Sequence, residues 1–142
     1  MRGSAMVVVA AAAFLVAVAR DADAQNGGPE VSRTTMSGVY TTEQAARGSD
    51  TYAMMCRSCH TPASHTGAVF ANSWNRKPLS ELFQFMVQRM PKNEPGSLAP
   101  EEYAQVLAYL LKMNDMPAGS DELPADSVAL KKIRIDTGRK AP

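Results

Sequence analysis

The chain's two cysteines sit three residues apart and are followed at once by a histidine, in Cys56-Arg57-Ser58-Cys59-His60. Two thiols at this spacing near a helix end project to one side, so both can add to the vinyl groups along one porphyrin edge. His60 then falls beneath the macrocycle as an axial nitrogen ligand to iron. The pattern implies one haem c attached covalently through Cys56 and Cys59, which leaves no cysteine for a disulfide. Two other chemistries compete for the same residues. A redox-active dithiol needs flanking strands in a βαβ arrangement, and no alternating strand pattern is present. A zinc site from Cys56, Cys59, His60 and His65 lacks the usual separation between ligand pairs.

The sixth iron ligand has to come from elsewhere, and methionine is the obvious donor. Met36 precedes the first helix, and Met54 and Met55 are tied to the cysteines beside them. Met86 belongs to an apolar helix row with Leu82 and Phe83, Met113 ends the last long helix, and Met116 lies just past it. Met90 is followed by Pro91, which stops its helix and opens an extended loop where a thioether can be held over iron. Met90 is therefore the expected metal ligand with His60; the competing reading is a core residue continuing the Met86 row. His65 follows His60 too closely to cross the ring and reads as a surface histidine. Trp74, the only tryptophan, reads as a core residue beside the haem, or as an indole N–H donor to a haem propionate.

The elements that carry these residues are helical. A first helix starts near Thr41 or Thr42, with Thr41 and Gln44 at capping-box spacing and Glu43 at the positive end of the dipole. Ala45, Ser49, Tyr52 and Cys56 share one face of it. Gly48, unfavourable in mid-helix, marks a candidate crossing point for a second helix. Thr61 to Pro78, rich in Thr, Ser, Asn and Gly, predicts irregular chain. Leu79, Leu82, Phe83 and Met86 make a short amphipathic helix ended by Pro91. Pro100 suits the first position of another helix, with Glu101 and Glu102 in its first turn and Tyr103, Val106, Leu107 and Leu110 as its stripe. Asn114 can end it.

The N-terminus carries export signals. Arg2, an apolar run from Ala5 to Ala19 and Ala22-Asp23-Ala24 read as a signal peptide over 1–24, cleaved before Gln25. A retained anchor is the other reading, although the run is shorter than a spanning helix needs. Residues 25–41 then form a flexible leader, 42–136 the domain and 137–142 a basic tail. Lys131, Lys132, Arg134, Arg139 and Lys140 read as a solvated basic end. A net charge of +1 gives no basic surface for nucleic acid. No membrane span is expected after cleavage.

With these motifs in hand, the chain resembles the small class I monohaem cytochromes c found beside, or fused to, periplasmic quinoprotein (PQQ-dependent) dehydrogenases. The resemblance covers about residues 43 to 136. Its carriers are Gln44 to Gly48, Tyr52 with the Cys56–His60 motif, Phe70 with Trp74, Leu82-Phe83, Met90-Pro91, Pro95 to Leu98, Tyr103 to Leu111 and Pro117 to Gly119. Glu122 to Asp126 and Leu130 to Ile135 extend it. It implies an all-α class I cytochrome c fold whose first and last helices cross near the haem, with Gly48 and Tyr52 against Leu107 and Tyr109. It also implies Met90 as the distal ligand. Two departures stand out: few glycines between Pro62 and Gly67, and Ala99 where a Ser or Thr cap is usual, at a cost of about 1 kcal/mol.

The expected function is outer-sphere electron transfer in the periplasm, with no general acid, base or nucleophile. The expected partners are a periplasmic dehydrogenase and a downstream cytochrome or oxidase. The alternative is a haem enzyme or gas sensor, which needs an open or labile sixth position.

Overall fold

A computed structural model describes residues 33–138. The expected signal peptide, most of the leader and residues 139–142 fall outside the described residues. Helix α1 spans Thr42–Met55. The Thr41 hydroxyl accepts from the Gln44 N–H at 3.0 Å, which satisfies one of the helix's free donors. The reciprocal half of the expected capping box does not form. The Gln44 amide is instead buried against the late chain, donating to the Leu123 carbonyl at 2.9 Å and accepting from the Leu123 N–H at 2.8 Å. Arg47 pairs with Glu122 next to it.

Helix α4 spans Pro100–Met113, with proline at its first position. Ala99 offers no side-chain cap, but the Glu102 carboxylate accepts from the Ala99 N–H at 2.8 Å and recovers half of the interaction. Helices α1 and α4 make the principal packing of the molecule. They cross at Gly48, where a Cβ would lie 1.8 Å from the Gln105 carbonyl oxygen. Only glycine lets the two backbones meet so closely. The register differs slightly from expectation. Gly48 meets the backbone of Gln105 and Val106 rather than Leu107, while the Tyr52 and Tyr109 rings do pack together at 5.4 Å.

Helix α3, Leu79–Arg89, buries Leu79, Leu82, Phe83 and Met86 and ends at Met90. It packs on α4 and on the short α5, Ser127–Leu130. The Asp126 carboxylate caps α5 by accepting from Val128 and Ala129.

The segment expected to be irregular is more ordered than its composition suggests. Pro62–His65 forms a 3-10 turn, and α2 follows over Gly67–Trp74. The cap of α2 is remote in sequence: the Gly67 N–H donates to Asn114 Oδ1 at 3.1 Å. The Asn114 amide also donates to the carbonyls of His65 and Leu110, each at 2.8 Å. One side chain at the end of α4 therefore holds the start of α2, which no local pattern announces.

The described part of the expected leader, 33–41, does not hang free. Strand β1, Arg33–Thr34, pairs in parallel with β2, Ile133–Arg134. The Thr35 hydroxyl donates to the Asp136 carbonyl and accepts from its N–H, both at 2.9 Å. Val39 and Tyr40 are buried, and the Tyr40 hydroxyl donates to the Met116 carbonyl at 2.6 Å. The core thus reaches upstream of residue 42. Two-residue strands are too short to leave a period in the sequence. Near the C-terminal end Lys131, Lys132 and Arg134 are exposed as expected, while Ile133 and Ile135 on either side of Arg134 are buried. Among the described residues no helix is long and apolar enough to cross a membrane.

Candidate functional site

The cysteine–histidine motif is a tight continuation of α1. The Cys56 N–H donates to the Tyr52 carbonyl at 2.9 Å, and His60 and Cys59 donate back to the Cys56 carbonyl at 2.9 and 3.1 Å. These bonds wind the five residues into one further turn, so Cys56, Cys59 and His60, at i, i+3 and i+4, fall on one side. Both thiols are free, Cys56 half-buried and Cys59 exposed. Cys56, Cys59 and His60 line a cavity of about 580 Å³, and so does Met90, from the end of α3. That volume suits a cofactor-sized molecule.

Most of the wall is apolar. Val69, Phe70, Leu82, Phe85, Val106 and Leu110 contribute to it from α2, α3 and α4. Phe70 and Leu82 belong to the core, whereas Val69 and Phe85 are 54% and 43% exposed, so the apolar lining continues out to solvent. Trp74 lies in the wall, packed on Phe85 at 5.5 Å, with the Lys77 ammonium 5.1 Å over its ring. Lys92 and Asn93, just past Met90, complete that side.

His65 is not the surface residue expected. It is half-buried in the cavity wall, its ring 4.6 Å from that of His60 and 6.0 Å edge-on to Tyr52. The turn at Pro62–His65 folds it back, and Asn114 holds its carbonyl there. Burial, and then the neighbouring His60, push the His65 imidazole below its ordinary value. Burial also pushes the Cys56 thiol up. The Tyr52 hydroxyl is raised as well, by burial first and then by Cys56.

The residues present fit a haem. Two free thiols, an imidazole and a thioether meet at one largely apolar cavity, and the buried Tyr52 hydroxyl at its wall has no hydrogen-bond partner among the described residues. Among the described residues no cluster of His, Cys, Asp and Glu forms a metal site of its own. The residues that sequence reasoning did not single out are those that brace the wall, Asn114 and Tyr103. A tyrosine inside an apolar stripe was the available signal for the latter, because a buried phenol needs a partner.

Comparison with known proteins agrees with this geometry. Residues 43–110 match the family described as cytochrome c oxidase, cbb3-type, subunit III. No curated protein and no solved structure matches the chain. The family match runs from the start of α1 into α4 and supports a c-type cytochrome. With the helical architecture it gives the all-α class I cytochrome c fold. A domain of this class supports an electron-carrier role and implies covalent haem c, for which Cys56 and Cys59 have the fitting spacing.

Proposed function

We propose that the chain is an exported single-electron carrier whose one haem is bound through Cys56 and Cys59 and ligated axially by His60 and Met90. The observation that carries this reading is the convergence of those four side chains on one cavity. When bound, the haem supplies a ferric/ferrous couple whose potential a thioether ligand raises. The protein's part is binding and exclusion. Thioether links from Cys56 and Cys59 keep the cofactor in place, and the turn after α1 sets the His60 imidazole next to them. Phe70, Leu82, Val106 and Leu110 keep water from the inner wall and lower the local dielectric. Trp74 either packs on the haem or donates its indole N–H to a propionate. The apolar margin at Val69 and Phe85 offers a contact surface for transient docking.

The signal-like residues 1–24 and the need to mature a covalent haem outside the cytoplasm support a periplasmic location. The partners we propose are a periplasmic dehydrogenase, of the quinoprotein kind that the sequence resembles, and a downstream cytochrome or oxidase. A net charge of +1 favours docking by shape and apolar contact over long-range steering.

The test is an optical spectrum of Met90→Ala beside wild type, both matured in a host that attaches haem c. Loss of the far-red sulfur-to-iron band, with new CO binding by the reduced protein, is the expected result. A mutant that keeps the band would remove Met90 from the ligand set. Rapid CO binding by wild type would favour the haem enzyme or sensor instead.

A further inference from the structure

The Met90 backbone is anchored on both of its polar groups, by two different helices. Its N–H donates to the Met86 carbonyl at 2.9 Å, the last bond of α3. Its carbonyl accepts from the Tyr103 hydroxyl of α4 at 2.6 Å. The same hydroxyl accepts from the Gly96 N–H at 3.1 Å. One phenol oxygen therefore ties both ends of the loop 90–96, and Met90, Pro91, Lys92 and Asn93 of that loop form cavity wall. Gly96 has φ +79°, so the turn that brings its N–H back to Tyr103 favours glycine. The Tyr103 ring is buried and packs edge-on to Phe83 at 6.5 Å, which leaves its oxygen little freedom to follow a moving loop.

We infer that Tyr103 is a positioning residue that clamps the 90–96 loop and so controls access to the sixth iron position. The inference rests on the His60/Met90 reading. Opening the loop breaks the two bonds to the phenol and leaves the buried hydroxyl and the Met90 carbonyl to find water. With the clamp closed, the Met90 side chain hangs from a fixed backbone and departs only by rotating its own bonds. With the clamp open, the whole residue moves and small ligands reach the iron. The selectivity for electron transfer over ligand binding then depends on a hydroxyl thirteen residues from the ligand.

Tyr103→Phe tests this in the holoprotein, because it keeps the ring against Phe83 and removes only the oxygen. The expected outcome is about tenfold faster exchange of the Gly96 amide and about tenfold faster CO binding by the reduced protein, the size of effect that one such hydrogen bond carries. The far-red band should also be lost at lower temperature. Tyr109→Phe, which removes a hydroxyl of α4 not bonded to the loop, should match wild type in all three. Gly96 exchange and CO binding within twofold of wild type in Tyr103→Phe would overturn the clamp while leaving Met90 as ligand. If Met90→Ala keeps the wild-type band, the ligand assignment falls, and control of iron access falls with it, whatever Gly96 exchange shows. Should Tyr103→Phe not mature, exchange in wild type decides: a Gly96 amide as protected as the α4 amides supports the clamp, and one exchanging like open chain overturns it.

Discussion

Cys56, Cys59 and His60 reach the cavity from five consecutive residues at the end of α1, whereas Met90 reaches it from a loop braced by a tyrosine on another helix. The first region is stiff because it is local. The Cys56, Cys59 and His60 N–H groups each find a carbonyl within four residues, Arg57 shares the Tyr52 carbonyl, and the geometry survives small shifts elsewhere. The second region has one local bond, to Met86 behind it, and is otherwise held from another helix, by the Tyr103 hydroxyl that also takes the Gly96 N–H across the loop. Helix α4 connects the two. Its Gln105 meets Gly48 of α1, and its Tyr103 holds the Met90 loop two residues earlier in the same turn. An anchor built from one turn of chain tolerates local wear, while a residue held from another helix depends on packing.

The sharpest way to break the comparison is to remove the local region. Cys56→Ala together with Cys59→Ala should yield a protein without covalent haem, read as an intact mass equal to the bare polypeptide. A mass that retains haem would mean attachment elsewhere. Next in size is the crossing that registers both regions. Gly48→Ala gains about 1 kcal/mol of helix propensity, but its methyl would stand 1.8 Å from the Gln105 carbonyl oxygen. Overpacking should win, destabilising the domain by about 3 kcal/mol, with a fall in Tm of on the order of 15 °C. An unchanged melt would show that α1 and α4 can slide apart at little cost.

Gln44→Ala should cost less, about 2 kcal/mol, because it leaves the N–H and carbonyl of buried Leu123 unpaired. It touches neither region of the cavity wall, so denaturant unfolding should shift while the far-red band at room temperature stays. The smallest effect lies within the local region itself. In protein made without haem, Cys59 is exposed, whereas Cys56 is half-buried with its thiol pushed up by burial. A raised thiol pKa means less thiolate near neutral pH, so iodoacetamide should label Cys59 several-fold faster than Cys56. The ratio should narrow as pH rises and Cys56 ionises. Equal rates at pH 7.5 would contradict the burial difference.

Several local signals were legible because the partner lay within one helical turn. The Thr41 cap, the Pro100 start, the α3 stripe and the cysteine–histidine turn all satisfy their polar groups or apolar faces nearby. Gly48 was legible for another reason, since a glycine costs too much in mid-helix to sit there without a close neighbour. Helix α2 was not legible, because its first N–H is capped by Asn114, 47 residues on, and its Ser, Asn and Gly content reads as loop. The same asparagine turned His65 from a surface residue into cavity wall. Gln44 had the spacing for a capping box, but two backbone partners at Leu123 outcompeted the local bond.

Residue types and spacing alone thus set the expected chemistry, with its thiols and imidazole, and pointed to helices α1, α3 and α4. These depend on atoms a few bonds or one turn apart, and such distances are written in residue order. Only the tertiary structure decided the Gln105 register opposite Gly48, the cap on α2, the inward turn of His65, the packing of 33–41 and the Tyr103 brace on Met90. Each of these is a contact between residues more than ten positions apart, or a choice between a local and a remote partner. Such choices are made by what burial leaves within reach once the chain has closed on itself.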